Sequence, residues 1–75
     1  MIIAAINKDK LFIKFDCIVD KATISLRDDL GFHKTMEVKR TEFEIIEIPI
    51  KSPYVFLEVK IDGERKIKKT VYHYE

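Results

Sequence analysis

The segment Tyr54-Val55-Phe56-Leu57-Glu58-Val59-Lys60-Ile61-Asp62-Gly63 decides the fold. Val55, Leu57, Val59 and Ile61 take every second position, with Tyr54, Phe56, Glu58 and Lys60 between them. A strand points alternate side chains to opposite faces, so this period of two marks a strand with one face in a core and one face wet. Half-buried strands of this kind belong to antiparallel sheets, since parallel sheets are covered on both sides. Asp62-Gly63 stands between this run and Lys66–Tyr74, and Asp-Gly between two strands favours a type I′ turn and a returning strand.

The same alternation extends outward from this segment. Leu11, Ile13 and Phe15 alternate with Phe12 and Lys14, and Ala22, Ile24 and Leu26 alternate with Thr23, Ser25 and Arg27. Residues 34–50 do not read as a helix: Phe43, Ile45, Ile46, Ile48 and Ile50 favour strands, and Pro49 would break a helix. They read as two strands around a turn near Lys39-Arg40-Thr41. Met1–Ile6 is apolar on consecutive residues, as a strand covered on both faces would be. Turn signals fall at Asn7–Lys10, at Asp28-Asp29-Leu30-Gly31 and at Ser52-Pro53. The expectation is about seven strands, at 2–6, 10–15, 22–27, 32–38, 42–48, 54–61 and 65–74. Residues 1–75 then make a single all-β domain, an antiparallel sandwich in which two sheets close over one core.

Three pieces of the chain occur in a familiar order: Ala22–Gly31, Phe43–Pro49 and Tyr54–Gly63. Together they resemble the small immunoglobulin-like modules of Bacteroidetes surface proteins and their phages. Those modules run as a strand, an Asp-x-x-Gly hairpin, a return strand, a short apolar strand, a Gly-x-Tyr strand and a final hairpin. Two departures stand out. Ser52-Pro53 replaces the glycine before the tyrosine strand, and the cysteine–tryptophan–cysteine pattern of antibody domains is missing, with no tryptophan and one cysteine. The resemblance implies an immunoglobulin-like β-sandwich serving as a spacer, adhesin, sorting domain or phage decoration protein, and a fold does not choose among these.

Composition narrows the function classes. At 75 residues a chain buries only roughly 60 % of its unfolded surface. Such a core leaves no room for a large cofactor pocket, and no cofactor is expected. Fourteen basic residues against 13 acidic ones give a net charge of +1. Nucleic-acid affinity comes largely from neutralised phosphates, so this balance argues against a dedicated nucleic-acid binder while leaving room for a local patch. The one cysteine, Cys17, rules out an internal disulfide and reads as a small core residue within Phe15–Val19. The apolar start is too short for a signal peptide, and no run approaches a membrane span. The expectation is a soluble protein of the host cytoplasm or of a virion.

No catalytic or metal site is expected. His33 and His73 are the only histidines, and nothing in their spacing brings them to Asp28 or Asp29. Adjacent aspartates in a tight loop are more simply turn-formers than an acid–base pair. Nucleophile elbows and phosphate loops are missing from the sequence.

The candidate partner-binding residues are aromatics on the parity opposite the core: Tyr54 and Phe56, Tyr72 and Tyr74, and Phe12. Exposed aromatics supply interface area at small entropy cost. Arg65, Lys66, Lys68 and Lys69 form the one basic cluster, read as an edge strand protected by lysines or, alternatively, as a base-stacking barrel surface. The reading is a non-enzymatic structural or protein-interaction module, an auxiliary component of a phage particle or other multi-copy assembly, with protein as its partner. The alternatives are a small single-stranded nucleic-acid-binding β-barrel and a domain of a secreted adhesion protein.

Overall fold

The computed structural model describes residues 2–49 and 53–72. The described residues form five antiparallel strands: β1 (Ile2–Asn7), β2 (Lys10–Arg27), β3 (His33–Glu47), β4 (Tyr54–Ile61) and β5 (Arg65–Tyr72). The all-β antiparallel class is as the alternation requires. The count is five and not seven, because two pairs of expected strands are each one continuous strand. Residues 10–15 and 22–27 are the two ends of β2, and residues 32–38 and 42–48 are joined in β3. All five strands share one sheet, so two separate stacked sheets are not what these residues build.

The joining is explained at the bend of β2. Lys14 pairs with Phe43 and Val19 with Thr41, so Phe15–Ile18 of β2 face only Glu42 of β3. Extra residues on one strand bend it and increase its twist. β3 follows the bend with Arg40 in the left-handed region at φ 49°, in place of the expected turn at Lys39–Thr41. Core-facing positions accordingly switch from Leu11, Ile13, Phe15 and Val19 to Ala22, Ile24 and Leu26.

The bend lets one sheet cover itself. β1 lies along the first half of β2 (Ile2 beside Phe15), and β4 lies along the second half on the same edge (Ala22 beside Ile61). β3 runs along the whole opposite edge, and β5 flanks β4 and comes back against β1. Buried side chains from both halves form a single cluster, with Ile2, Leu11, Ile13, Phe15 and Ile46 facing Ile24, Leu26, Val55, Leu57 and Val59. A Cα radius of gyration of 11.7 Å matches the roughly 11 Å of a closed globule of this length.

Two further expectations change. β1 pairs on one side only, and Ile3 is 65 % exposed between buried Ile2 and Ile6, so β1 is half-buried and not covered on both faces. Cys17 is exposed and not core, because it sits on the outside of the β2 bend, where Asp16, Cys17 and Ile18 all face solvent.

The turns follow the sequence closely. Asp62 and Gly63 both take positive φ, 52° and 75°, and the Glu64 N–H donates to the Ile61 carbonyl at 3.0 Å, as a type I′ turn requires. The Asp28 carboxylate accepts from the N–H groups of Leu30 (2.9 Å) and Phe32 (2.8 Å), closing the loop over Gly31 at φ 98°. Asp28 is therefore the turn-former its position suggests.

Ile13 and Ile45 lie on adjacent strands with opposite fates, one fully buried and one 50 % exposed. Ile13→Ala should lower the unfolding free energy by about 2–5 kcal/mol, through lost burial and the cavity left behind. Ile45→Ala should change it by no more than about 0.5 kcal/mol. Denaturant titration followed by circular dichroism measures both, and equal losses would contradict the placement of the two faces.

Candidate functional site

With the inner face committed to the core, the outer face of the sheet carries whatever recognition the protein performs. The bend divides that face into two unlike parts.

The first part spans β1, the start of β2 and the end of β3. The cross-strand register places Ile3, Lys14 and Phe43 in one row and Ala5, Phe12 and Ile45 in the next. Ile3, Phe43 and Ile45 are 65 %, 51 % and 50 % exposed, and the Phe12 and Phe43 rings lie 6.2 Å apart. Three adjacent strands thus present apolar side chains to water in two neighbouring rows, one of them interrupted by Lys14 between Ile3 and Phe43. Lys10 and Glu47 form the row beyond it.

The second part spans the end of β2, the start of β3, β4 and β5. His33, Arg27, Phe56 and Thr70 form one row, and Thr35, Ser25, Glu58 and Lys68 the next. All of these but Thr35 line an open groove of about 500 Å³. The Arg27 guanidinium lies 5.5 Å above the Phe56 ring, within cation–π range. Tyr54 packs edge-on against both Phe56 (5.2 Å between centroids) and Tyr72 (5.9 Å). The Tyr54 hydroxyl donates to the Asp29 carboxylate across the end of the sheet. That hydrogen bond, with some burial and the negative charge of Asp29, raises the phenol above its ordinary value of 10.0.

Three of the expected partner residues, Tyr54, Phe56 and Tyr72, therefore stand together on the outer face, opposite Val55, Leu57 and Val71. Phe12 is also on the outer face but belongs to the other part, beside Phe43. Tyr74 and His73 lie outside the described residues. The basic cluster is divided by the period of β5: Lys66 and Lys68 join the outer face, while Arg65 and Lys69 have the parity of the core face and stay exposed at its edge. Lys66 pairs with Glu58 at 3.2 Å.

Sequence reading missed Phe43 and Ile45, and it offered Met1–Ile6, which holds Ile3, only as a strand that could pair by its edge with a neighbour. In Phe43-Glu44-Ile45-Ile46-Glu47-Ile48 apolar residues fall on both parities, so alternation gives no sign of which set is buried. Lys14, the cross-strand partner of both Ile3 and Phe43, would have been a signal, and it needs the register. Among the described residues no three histidine, cysteine or acidic side chains converge as metal ligands. Asp28 is engaged by loop amides and Asp29 by Tyr54, while His33 stands beside Arg27 in the groove. Comparison with known protein families, curated proteins and solved structures gave no match to this chain.

The Asp29 contact has a spectroscopic consequence. The folded state holds the Tyr54 proton more tightly than the unfolded chain, so its contribution to stability is fully present below about pH 10 and is lost as pH rises through the raised value. Alkaline titration of tyrosinate absorbance should show one phenol ionising late, and Asp29→Asn should bring it back towards the ordinary value. A late transition that survives in Tyr54→Phe would assign it elsewhere.

Proposed function

We propose that this chain is a non-enzymatic protein-interaction module that works in multiple copies, with another copy of itself as its first partner. The observation that carries this reading is the apolar patch of Ile3, Phe12, Phe43 and Ile45 on the outer face. The largest exposed apolar patch on a small soluble protein is often a functional one, used for docking. Alternative uses for these side chains are few, because the core already draws its members from the other parity of the same strands.

A second copy is favoured over an unrelated protein by the chemistry around the patch. Lys14 stands within it between Ile3 and Phe43, and Lys10 on β2 and Glu47 on β3 border it. A rim carrying both signs can satisfy itself when the same surface meets its copy across a two-fold axis. Rim pairs of this kind set orientation more than affinity. The accessible surface of the chain is 5225 Å², of which a standard interface would take about 800 Å² per partner. The apolar patch supplies only the centre of such a contact, so weak association reinforced by multiplicity fits it better than a permanent dimer.

The immunoglobulin-like kinship, and with it a place in a phage particle, rests on the short sequence resemblance alone. The single curled sheet supports an all-β antiparallel module of any parentage.

Sedimentation analysis over a wide concentration range tests the proposal. The wild-type chain should gain mass as concentration rises, and Phe43→Ser combined with Ile45→Thr should leave it monomeric with an unchanged circular-dichroism spectrum. A wild-type chain that stays monomeric throughout would remove self-association as its role.

A further inference from the structure

We propose that the second part of the outer face binds single-stranded nucleic acid, with bases stacked on its aromatic side chains and phosphates held by its lysines and arginine. This rests on observations independent of the apolar patch.

The first observation is a segregation of charge that the composition conceals. Lys21, Arg27, Lys39, Lys60, Lys66 and Lys68 all have outer-face parity on β2, β3, β4 and β5, against only two carboxylates, Glu37 and Glu58. Of 14 basic and 13 acidic residues in the chain, this leaves eight basic and eleven acidic elsewhere. The near-neutral total thus hides a cationic face on an otherwise acidic molecule.

The second is a local conflict. Lys60 stands directly across from Lys66, and Lys21 directly across from Lys39. Like charges opposite one another on a sheet oppose folding. Each pair is relieved by a single carboxylate, Glu58 at 3.2 Å from Lys66 and Glu37 at 3.4 Å from Lys21. One ammonium of each pair is left over. Sequences break such local rules at functional sites, where a bound counter-charge completes what the fold leaves unbalanced.

The third selects the class of anion. An acidic peptide would need the cations alone. Here Phe56, Tyr54 and Tyr72 stand in edge-to-face contact at one end of the face, with the Arg27 guanidinium 5.5 Å above the Phe56 ring and Lys68 and Lys60 in the next two rows. Ser25, His33 and Thr70 line the same groove and offer hydrogen bonds to base edges. Cations beside exposed aromatic rings on an open sheet are the means by which proteins hold unpaired strands, since every base has a face to stack. In a duplex those faces are already taken. Asp29, bonded by the Tyr54 hydroxyl at the aromatic end of the face, repels phosphate there and directs the strand across Phe56 towards Lys68 and Lys60, past Glu58, whose charge Lys66 takes up.

Fluorescence anisotropy with a labelled oligothymidine and a labelled oligouridine tests this on the intact chain. Binding should be clear at low salt and weaken as salt rises, with a logarithmic slope of roughly −3 if Arg27, Lys60, Lys66 and Lys68 each hold a phosphate. Lys60→Glu removes a like-charge pair, so it should melt no lower than wild type while flattening the slope by about 0.7 or more and weakening binding. Phe56→Leu keeps the apolar bulk and loses the ring, and should weaken binding roughly tenfold with the slope unchanged. Ile18→Ser, on the outside of the β2 bend and in neither surface, should bind as wild type. The proposal is overturned by no binding at low salt, by a duplex of equal length or polyglutamate binding as well as the single strand, or by affinity indifferent to Lys60→Glu and Phe56→Leu.

Discussion

Everything in this structure depends on the bend in β2. A flat antiparallel sheet of these five strands would have one apolar face and nothing to cover it. Phe15–Ile18, placed opposite the single residue Glu42, turn the strand so that its second half faces its first. Leu11, Ile13 and Phe15 then meet Ile24 and Leu26 of the same strand in one cluster. A second sheet is unnecessary, which is how a chain of 75 residues closes a core with five strands.

The bend also sorts the outer surface. Residues of opposite parity to the core are thrown outward on both sides of it, and their chemistry differs. Before the bend they include Ile3, Phe12, Phe43 and Ile45; after it they include Arg27, Phe56, Lys60 and Lys68. One strand thus contributes to two surfaces of different chemistry, one on each side of the bend.

The alternation of Val55, Leu57, Val59 and Ile61 made β4, its turn and its aromatic outer face legible before any coordinates. The same holds for Asp28 as a loop-former and for the outer-face parity of Tyr54, Phe56 and Tyr72, of which Tyr72 is exposed and the other two half-buried. The bend was not legible, because it appears in the sequence only as lost alternation between Phe15 and Ala22, which reads equally well as a break between strands. That one ambiguity produced the extra strands, the misplaced Cys17 and the turn expected where Arg40 takes positive φ. The cationic face was hidden for a different reason. Charges add along a chain in composition, whereas on a sheet they add across strands, and Lys21 meets Lys39, and Lys60 meets Lys66, only once the register is known.

The edge of β2 is shared between β1, its immediate neighbour in the chain, and β4, which arrives some forty residues later (Ala22 beside Ile61). Hairpins β1–β2, β2–β3 and β4–β5 can each form locally, so docking the last hairpin onto residues 22–27 is the one step that requires distant segments to meet. Until it docks, that stretch of β2 offers bare amide and carbonyl groups to any matching strand. In a crowded solution the matching strand can come from a neighbour, and an exchanged hairpin would join two chains while every native pairing is kept.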